Sequence, residues 1–422
     1  MKEKKYSWKL YIPLYLIFIS LLLFATRNFD QAQSSAVGLS NIHKIFSIPL
    51  SIAIVLYYFL QKQKLPKVPC ALKAYIGFIL IGLTGSLMFS NWIGYSIFKL
   101  LEITAVVLVV LYGLSLNIKY KDILFQFYEK ILSYYQVLLL LTVLGVFIFP
   151  SLAIRPPTIY REAFLPYQLF GSIIQINANS LGIMSAILFY VTFTRLYNKK
   201  NFISFNFIWL FLSGIIMIFA QSRTSIIGLV IIIFLFLFLN GKSGILGKIF
   251  MLSTFLGGIY LSISSILKYM TRGLTSSQIE NLSGRAYWWE YAWNKFQTFD
   301  IWHQVFGSGY MVGSRMILAD MGHSDASTLH SDFMDSLVST GYLGLGFIIL
   351  MIICTSFILL KNIKYVRKTP YLLEWSGIFV LLTVRAFTGP TIATHNFFLI
   401  MYLIVIASIF VKLKQIKAMR RS

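Results

Sequence analysis

Arginine occupies positions in this chain where charge is costly and where its chemistry is specific. Arg223 stands in Ala220-Gln221-Ser222-Arg223-Thr224-Ser225, the tight junction between two apolar runs, and Arg385 lies within an apolar helix end. A charge at membrane depth usually faces a cavity and a partner. The plainer reading, snorkelling to the headgroups, fits Arg385 better than Arg223, whose Ser and Thr neighbours suggest a polar pocket. Guanidinium presents a rigid planar fork that meets phosphate oxygens two at a time and never loses its charge, whereas lysine is a hydrated point charge. The chemistry on offer is the gripping of an oxyanion. Histidine, with an ordinary pKa near 6.5, supplies a candidate base, and the chain has five: His43, His303, His323, His330 and His395. Taken singly, each is more simply a surface residue. His323 and Asp325 with His330 and Asp332 lack a recognised metal-ligand spacing. Cys70 and Cys354 offer neither a disulfide framework nor a metal motif, so redox chemistry is not expected.

The elements that must position these residues follow from composition. Of 422 residues 58% are hydrophobic and only 12% charged, which excludes a soluble globular enzyme. At about 20 apolar residues per crossing, spans are predicted near 10 to 25, 45 to 60, 71 to 89, 97 to 116, 131 to 150, 169 to 194, 202 to 220, 224 to 240, 245 to 267, 336 to 360, 371 to 388 and 391 to 411. The first is not read as a signal peptide, because no small-residue cleavage site follows it. Lys99 and Glu102, at i and i+3 on one helix, are expected to pair.

Cytoplasmic loops collect Lys and Arg, and this tests the span count. With the N-terminus inside, 25 basic residues fall on the inner side and 11 on the outer, with Lys99 inside a helix. The expected fold class is therefore an all-α polytopic membrane protein with about 12 transmembrane helices and both termini cytoplasmic. It divides into helices 1 to 9 (residues 1–267), a large extracytoplasmic loop (268–335), and helices 10 to 12 with a basic tail (336–422). The loop holds Trp288, Trp289, Trp293 and Trp302 with Tyr287 and Tyr291. That aromatic content suits a folded, partly helical cap, and an interfacial aromatic belt explains it equally well. The basic residue types also segregate: 21 of the 25 inner ones are Lys, whereas 8 of the 11 outer ones are Arg, namely Arg27, Arg155, Arg161, Arg223, Arg272, Arg285, Arg315 and Arg385. All five histidines fall on or near the outer side. The net charge of +23 thus reports membrane orientation and not nucleic-acid binding.

Ser222-Arg223-Thr224-Ser225 opens a helix. Ser283-Gly284-Arg285 follows with a Trp-rich stretch, then Phe306-Gly307-Ser308-Gly309-Tyr310, then Leu329-His330-Ser331-Asp332-Phe333 running to Gly341-Tyr342-Leu343-Gly344. This ordered set, spanning 222 to 344, resembles the O-antigen ligase and polymerase superfamily of bacterial surface polysaccharide assembly. Those proteins are similar in having about a dozen helices and one large late extracytoplasmic loop. The family's loop motif usually reads His-Asn, and here Ser331 follows His330.

The resemblance implies a membrane glycosyltransferase of the bacterial inner membrane, working on its outer face without cofactor or metal. It would move glycan from an undecaprenyl diphosphate-linked oligosaccharide to a sugar hydroxyl, with inversion. Membrane lipid is an expected partner, and a chain-length regulator an optional one. His330 is the expected base, and Arg223 and Arg285 are the expected stabilisers of the leaving diphosphate. Arg385, Arg155, Arg161, Arg272 and Tyr310 are expected to bind diphosphate or glycan. A polymerase acting on lipid-linked repeat units is the first reading and a ligase acting on lipid A core the second. A transporter or flippase is the third, disfavoured because polar residues gather at one face.

Overall fold

The computed structural model describes residues 7–22, 42–61, 66–156, 165–198, 205–240, 244, 285–323 and 326–420. After a short 3-10 turn at Trp8–Tyr11, the helices are α1 (Ile12–Ser20), α2 (Ile42–Gln61), α3 (Cys70–Phe89), α4 (Ile93–Lys119), α5 (Ile123–Ile148), α6 (Pro150–Ala153), α7 (Ala178–Asn198), α8 (Phe205–Ala220) and α9 (Arg223–Leu239). They continue as α10 (Arg285–Gln297), α11 (Ile301–Phe306), α12 (Val312–Asp320), α13 (Asp332–Lys361), α14 (Ile363–Lys368), α15 (Pro370–Ala386) and α16 (Leu399–Met419). Seven of them are long and apolar enough to cross a membrane, as a multi-pass membrane protein requires. Each predicted span has a helix at its place except the ninth, 245 to 267, which lies outside the described residues.

Two departures from the sequence expectation concern the segment before α7. The span predicted to start at 169 begins only at Ala178, because Asn177 accepts the backbone N–H of Ser180 (2.7 Å) through its side chain and caps the helix. Ahead of it lies the one strand pair described, β1 (Ile154–Arg155) and β2 (Gln168–Leu169), antiparallel with Arg155 opposite Gln168. Of the large predicted loop, the described part carries α10, α11 and α12, which is partly helical as expected.

The chain divides into two units by its internal contacts. The first comprises residues 1–131, 291–356 and 389–411. In it α1 packs on α2, and α4 lies against both α2 and α3. Asp300 caps α11, accepting from the backbone N–H of His303 and Trp302 and from the His303 imidazole. The His303 backbone N–H leads the set of bonds that hold the Asp300 carboxyl below its usual range. The end of α11 then docks onto a break in α13, where Gly341 has φ 66° and a Cβ would strike the Val305 carbonyl. Only glycine serves there.

The second unit comprises residues 132–290, 357–388 and 412–422. Here α7 packs along α8, and α9 lies against α7 and α15. Arg195 of α7 pairs with the buried Glu374 of α15 (3.1 Å), which also accepts from the Thr194 hydroxyl (3.2 Å). Opposite charges joined across two apolar helices fix their register as well as their contact.

Candidate functional site

In the second unit the helices α8 and α9 are separated by two residues. Gln221 adopts the left-handed backbone region (φ 50°), and Ser222 is extended ahead of the first residue of α9, Arg223. The reversal is tied down from outside: the Gln221 amide donates to the carbonyls of Leu165 (3.1 Å) and Tyr167 (2.7 Å). Gln168 donates to the Ala220 carbonyl (2.9 Å). Within the first turn the Ser225 hydroxyl donates to Ser222 Oγ (2.6 Å). Polar side chains thus satisfy backbone groups that the helix break leaves without helical partners.

Thr388, two positions after the end of α15, meets the Arg285 guanidinium, the backbone carbonyl of Arg385 and the side chain of Thr224, the residue after Arg223. The Arg285 guanidinium donates through Nη1 to the Thr388 carbonyl (2.8 Å). The Thr388 N–H donates to the carbonyl of Arg385 (2.9 Å). The Thr388 hydroxyl lies 3.2 Å from that of Thr224, the residue after Arg223. Arg385 itself is 5% exposed, and it lies within electrostatic reach of Tyr135. Arg223 and Arg285 are half-buried. A burial pattern of this kind leaves guanidinium groups poorly hydrated, which strengthens their attraction for an incoming anion.

Arg155 joins this neighbourhood by another route. Its strand partner Gln168 holds the Ala220 carbonyl three residues before Arg223. The Arg155 guanidinium lies over the Phe170 ring (5.6 Å) and donates from Nε to the Leu152 carbonyl (3.1 Å). Arg161 and Arg272, the other arginines expected to bind substrate, lie outside the described residues.

The remaining motif residues belong to the first unit. His330 sits in the loop before α13 in the left-handed region (φ 57°) and is half-buried. Its neighbour Leu329 donates its N–H to Asp335 Oδ1 (2.8 Å), which also accepts from the Ser314 hydroxyl (2.6 Å). Two residues further on, Asp332 is fully buried. Its carboxylate accepts the backbone N–H groups of Thr391 (2.8 Å), Ile392 (2.7 Å) and Ala393 (3.1 Å). The carbonyls of that same segment are taken by Tyr75, whose hydroxyl donates to Ile392 (2.7 Å), and by Tyr310, whose hydroxyl donates to Ala393 (2.6 Å).

Tyr310, expected from sequence to contact glycan, is therefore 2% exposed, with its hydroxyl used inside the protein. Its own N–H donates to Ser86 (3.1 Å) and its carbonyl accepts from Ser96 (2.9 Å). These bonds tie it to α3 and α4. Sequence reasoning missed the service Asp332 performs, because an aspartate in a loop motif gives no sign that its partners are backbone amides about 60 residues away. It also missed the proximity of the two cysteines: Cys70 Sγ and Cys354 Sγ lie 2.9 Å apart. Here α3 and α13 pack so that two free thiols meet.

Lys99 pairs with Glu102 as expected (3.0 and 3.2 Å to the two oxygens). No curated protein matches this chain. Residues 208–351, which run from α8 into α13 and include Arg223, Arg285 and His330, match the family model described as O-antigen ligase (Wzy_C), over the same stretch that carries the resemblance.

Proposed function

We propose that this chain is a surface-polysaccharide polymerase of the inner membrane, acting on its outer face. It transfers glycan from an undecaprenyl diphosphate-linked donor to a sugar hydroxyl of a lipid-linked repeat unit. The observation that carries the reading is the convergence at Thr388 of the Arg285 guanidinium, the Arg385 backbone and Thr224 of the Arg223 turn. When the bond between the anomeric carbon and the phosphate oxygen breaks, its electron pair stays on the diphosphate. Preorganised guanidinium groups stabilise that charge as it develops. Because Arg223, Arg285 and Arg385 supply the positive charge, the reading calls for no metal. The acceptor oxygen bonds to the anomeric carbon from the opposite side, which inverts it, and its proton passes to His330 as general base. Arg155, Arg161 and Arg272 are proposed to hold the diphosphate or glycan before transfer.

The test is Arg285→Lys and Arg223→Lys in purified full-length protein supplied with lipid-linked repeat units. Lysine keeps the charge and loses the fork, so polymer formation should fall by about 10²- to 10³-fold while the protein still melts cooperatively. Undiminished polymer from both variants would remove the arginines from the reaction. The family description favours a second reading, a ligase. Polymer made from repeat units alone supports the polymerase; product that forms only when a lipid A core acceptor is added supports the ligase.

A further inference from the structure

A second charged cluster lies within the first unit and takes no part in the reaction described above. Glu102 of α4 is 2% exposed. Around it stand Lys99 (3.0 Å) and, at the longer distance of 4.0 Å, Lys44 from the start of α2. His395 lies within electrostatic reach of Glu102, Lys44 and Lys99, and His43 is bonded to the backbone of Ser20 and Leu22. Above Lys99, the ring of Tyr95 is shared: the Lys99 ammonium lies 5.8 Å from its centroid and the Arg315 guanidinium 4.6 Å. Two ammonium groups therefore share one carboxylate, with a guanidinium at their edge. The buried carboxylate is thus outnumbered by partly exposed cations, an excess that an anion arriving from the membrane face would complete.

The histidines add open acceptors beside this charge. Ser20 directs its single hydroxyl proton to the Ile17 carbonyl (2.6 Å), so at 2.9 Å from His395 Nε2 the Ser20 oxygen must accept, and Nε2 carries the proton. That leaves His395 Nδ1, buried and without a hydrogen-bond partner among the described residues; His43 Nε2 is in the same condition. Open imidazole acceptors beside ammonium charge suit a ligand that joins an oxyanion to hydroxyl donors, as the glycan-bearing diphosphate and a glycerol headgroup do.

We propose that Lys44, Lys99, His43 and His395 form a second anion site, which takes the phosphate of a membrane lipid. Glu102 keeps the two lysines apart and limits their affinity. On the transfer reaction proposed above, and resting on it in this respect alone, the lipid is the acceptor's polyprenyl diphosphate; a phospholipid headgroup offers the same chemistry.

The test uses full-length protein in nanodiscs with two probes, a polyprenyl diphosphate and a phosphatidylglycerol, each bearing a diazirine beside its phosphate. Labelling mapped by peptide should fall on the N-terminal turns of α2 and α4. Lys44→Gln should lower it about tenfold, as loss of one charge-assisted contact does, and Glu102→Gln should raise it by a similar factor. A purely structural role for Glu102 would not strengthen labelling. Labelling by the diphosphate probe in preference to phosphatidylglycerol supports the acceptor, and equal labelling supports a headgroup site. Labelling of those turns that is unchanged in both variants overturns the proposal. Arg285→Lys should leave this labelling intact, so loss of transfer in that variant tests the enzyme reading separately.

Discussion

Replacing Asp332 with asparagine isolates the contribution of one carboxylate to the segment between α15 and α16. Asp332 Oδ2 accepts from Thr391 and Ile392, and Oδ1 accepts from Ala393. Asparagine has one acceptor oxygen. Placed at the Oδ2 position, it keeps two bonds in weaker, uncharged form and sets an NH₂ group against the Ala393 N–H. Losing the charge from two bonds and orphaning one buried donor costs about 3 kcal/mol. Relief of the burial penalty on the carboxylate returns roughly 1 kcal/mol. The net loss of about 2 kcal/mol corresponds to roughly thirtyfold faster opening, at tenfold per 1.4 kcal/mol. Hydrogen exchange of the peptide covering 389–398, followed by mass spectrometry on the detergent-solubilised protein, reads this directly. Exchange within a factor of about two of the wild type would refute the assignment of these amides to Asp332.

Oxidation with copper phenanthroline should join Cys70 to Cys354, because closing 2.9 Å to a bond requires little backbone movement. A non-reducing gel shift with loss of thiol labelling, absent in Cys70→Ser, checks it, and two freely labelled thiols after oxidation would count against the packing of α3 on α13. Glu374→Ala should cost about 2 kcal/mol in thermal unfolding, below the full figure for a buried pair because Arg195 is partly exposed and can turn to solvent. Arg195→Lys should recover only part of the loss seen in Arg195→Ala, since Arg195 meets both Glu374 oxygens, through Nε (3.3 Å) and Nη2 (3.1 Å), and lysine keeps the charge without that fork.

The helices were legible because an apolar run of 20 residues permits little else in a bilayer. The Lys99–Glu102 pair was legible because its partners are one helical turn apart. Arg223 and Arg385 stood out as charges in apolar surroundings. What joins them could not be read: Thr388 acts largely through its backbone carbonyl and N–H, groups that every residue but proline carries. The internal bonds of Tyr310 were equally hidden, because its motif carries no sign of its partners Ser86, Ser96 and Ala393. The start of α7 was misplaced because apolar residues after 168 mask a strand pair, and only the Asn177 cap marks the true beginning.

The shortness of α9 and α15 has a further consequence. Each has 17 residues, and at 1.5 Å per residue that gives about 26 Å, less than the ~30 Å of a typical hydrocarbon core. Both are also arginine-tipped, α9 at its first residue and α15 at its last turn. Hydrophobic mismatch is met by local thinning of the bilayer, which draws phosphates toward the membrane interior around these helix ends. On the proposed function, this shortens the descent of a lipid-borne diphosphate to guanidinium, and the surrounding lipid becomes part of how that substrate is received.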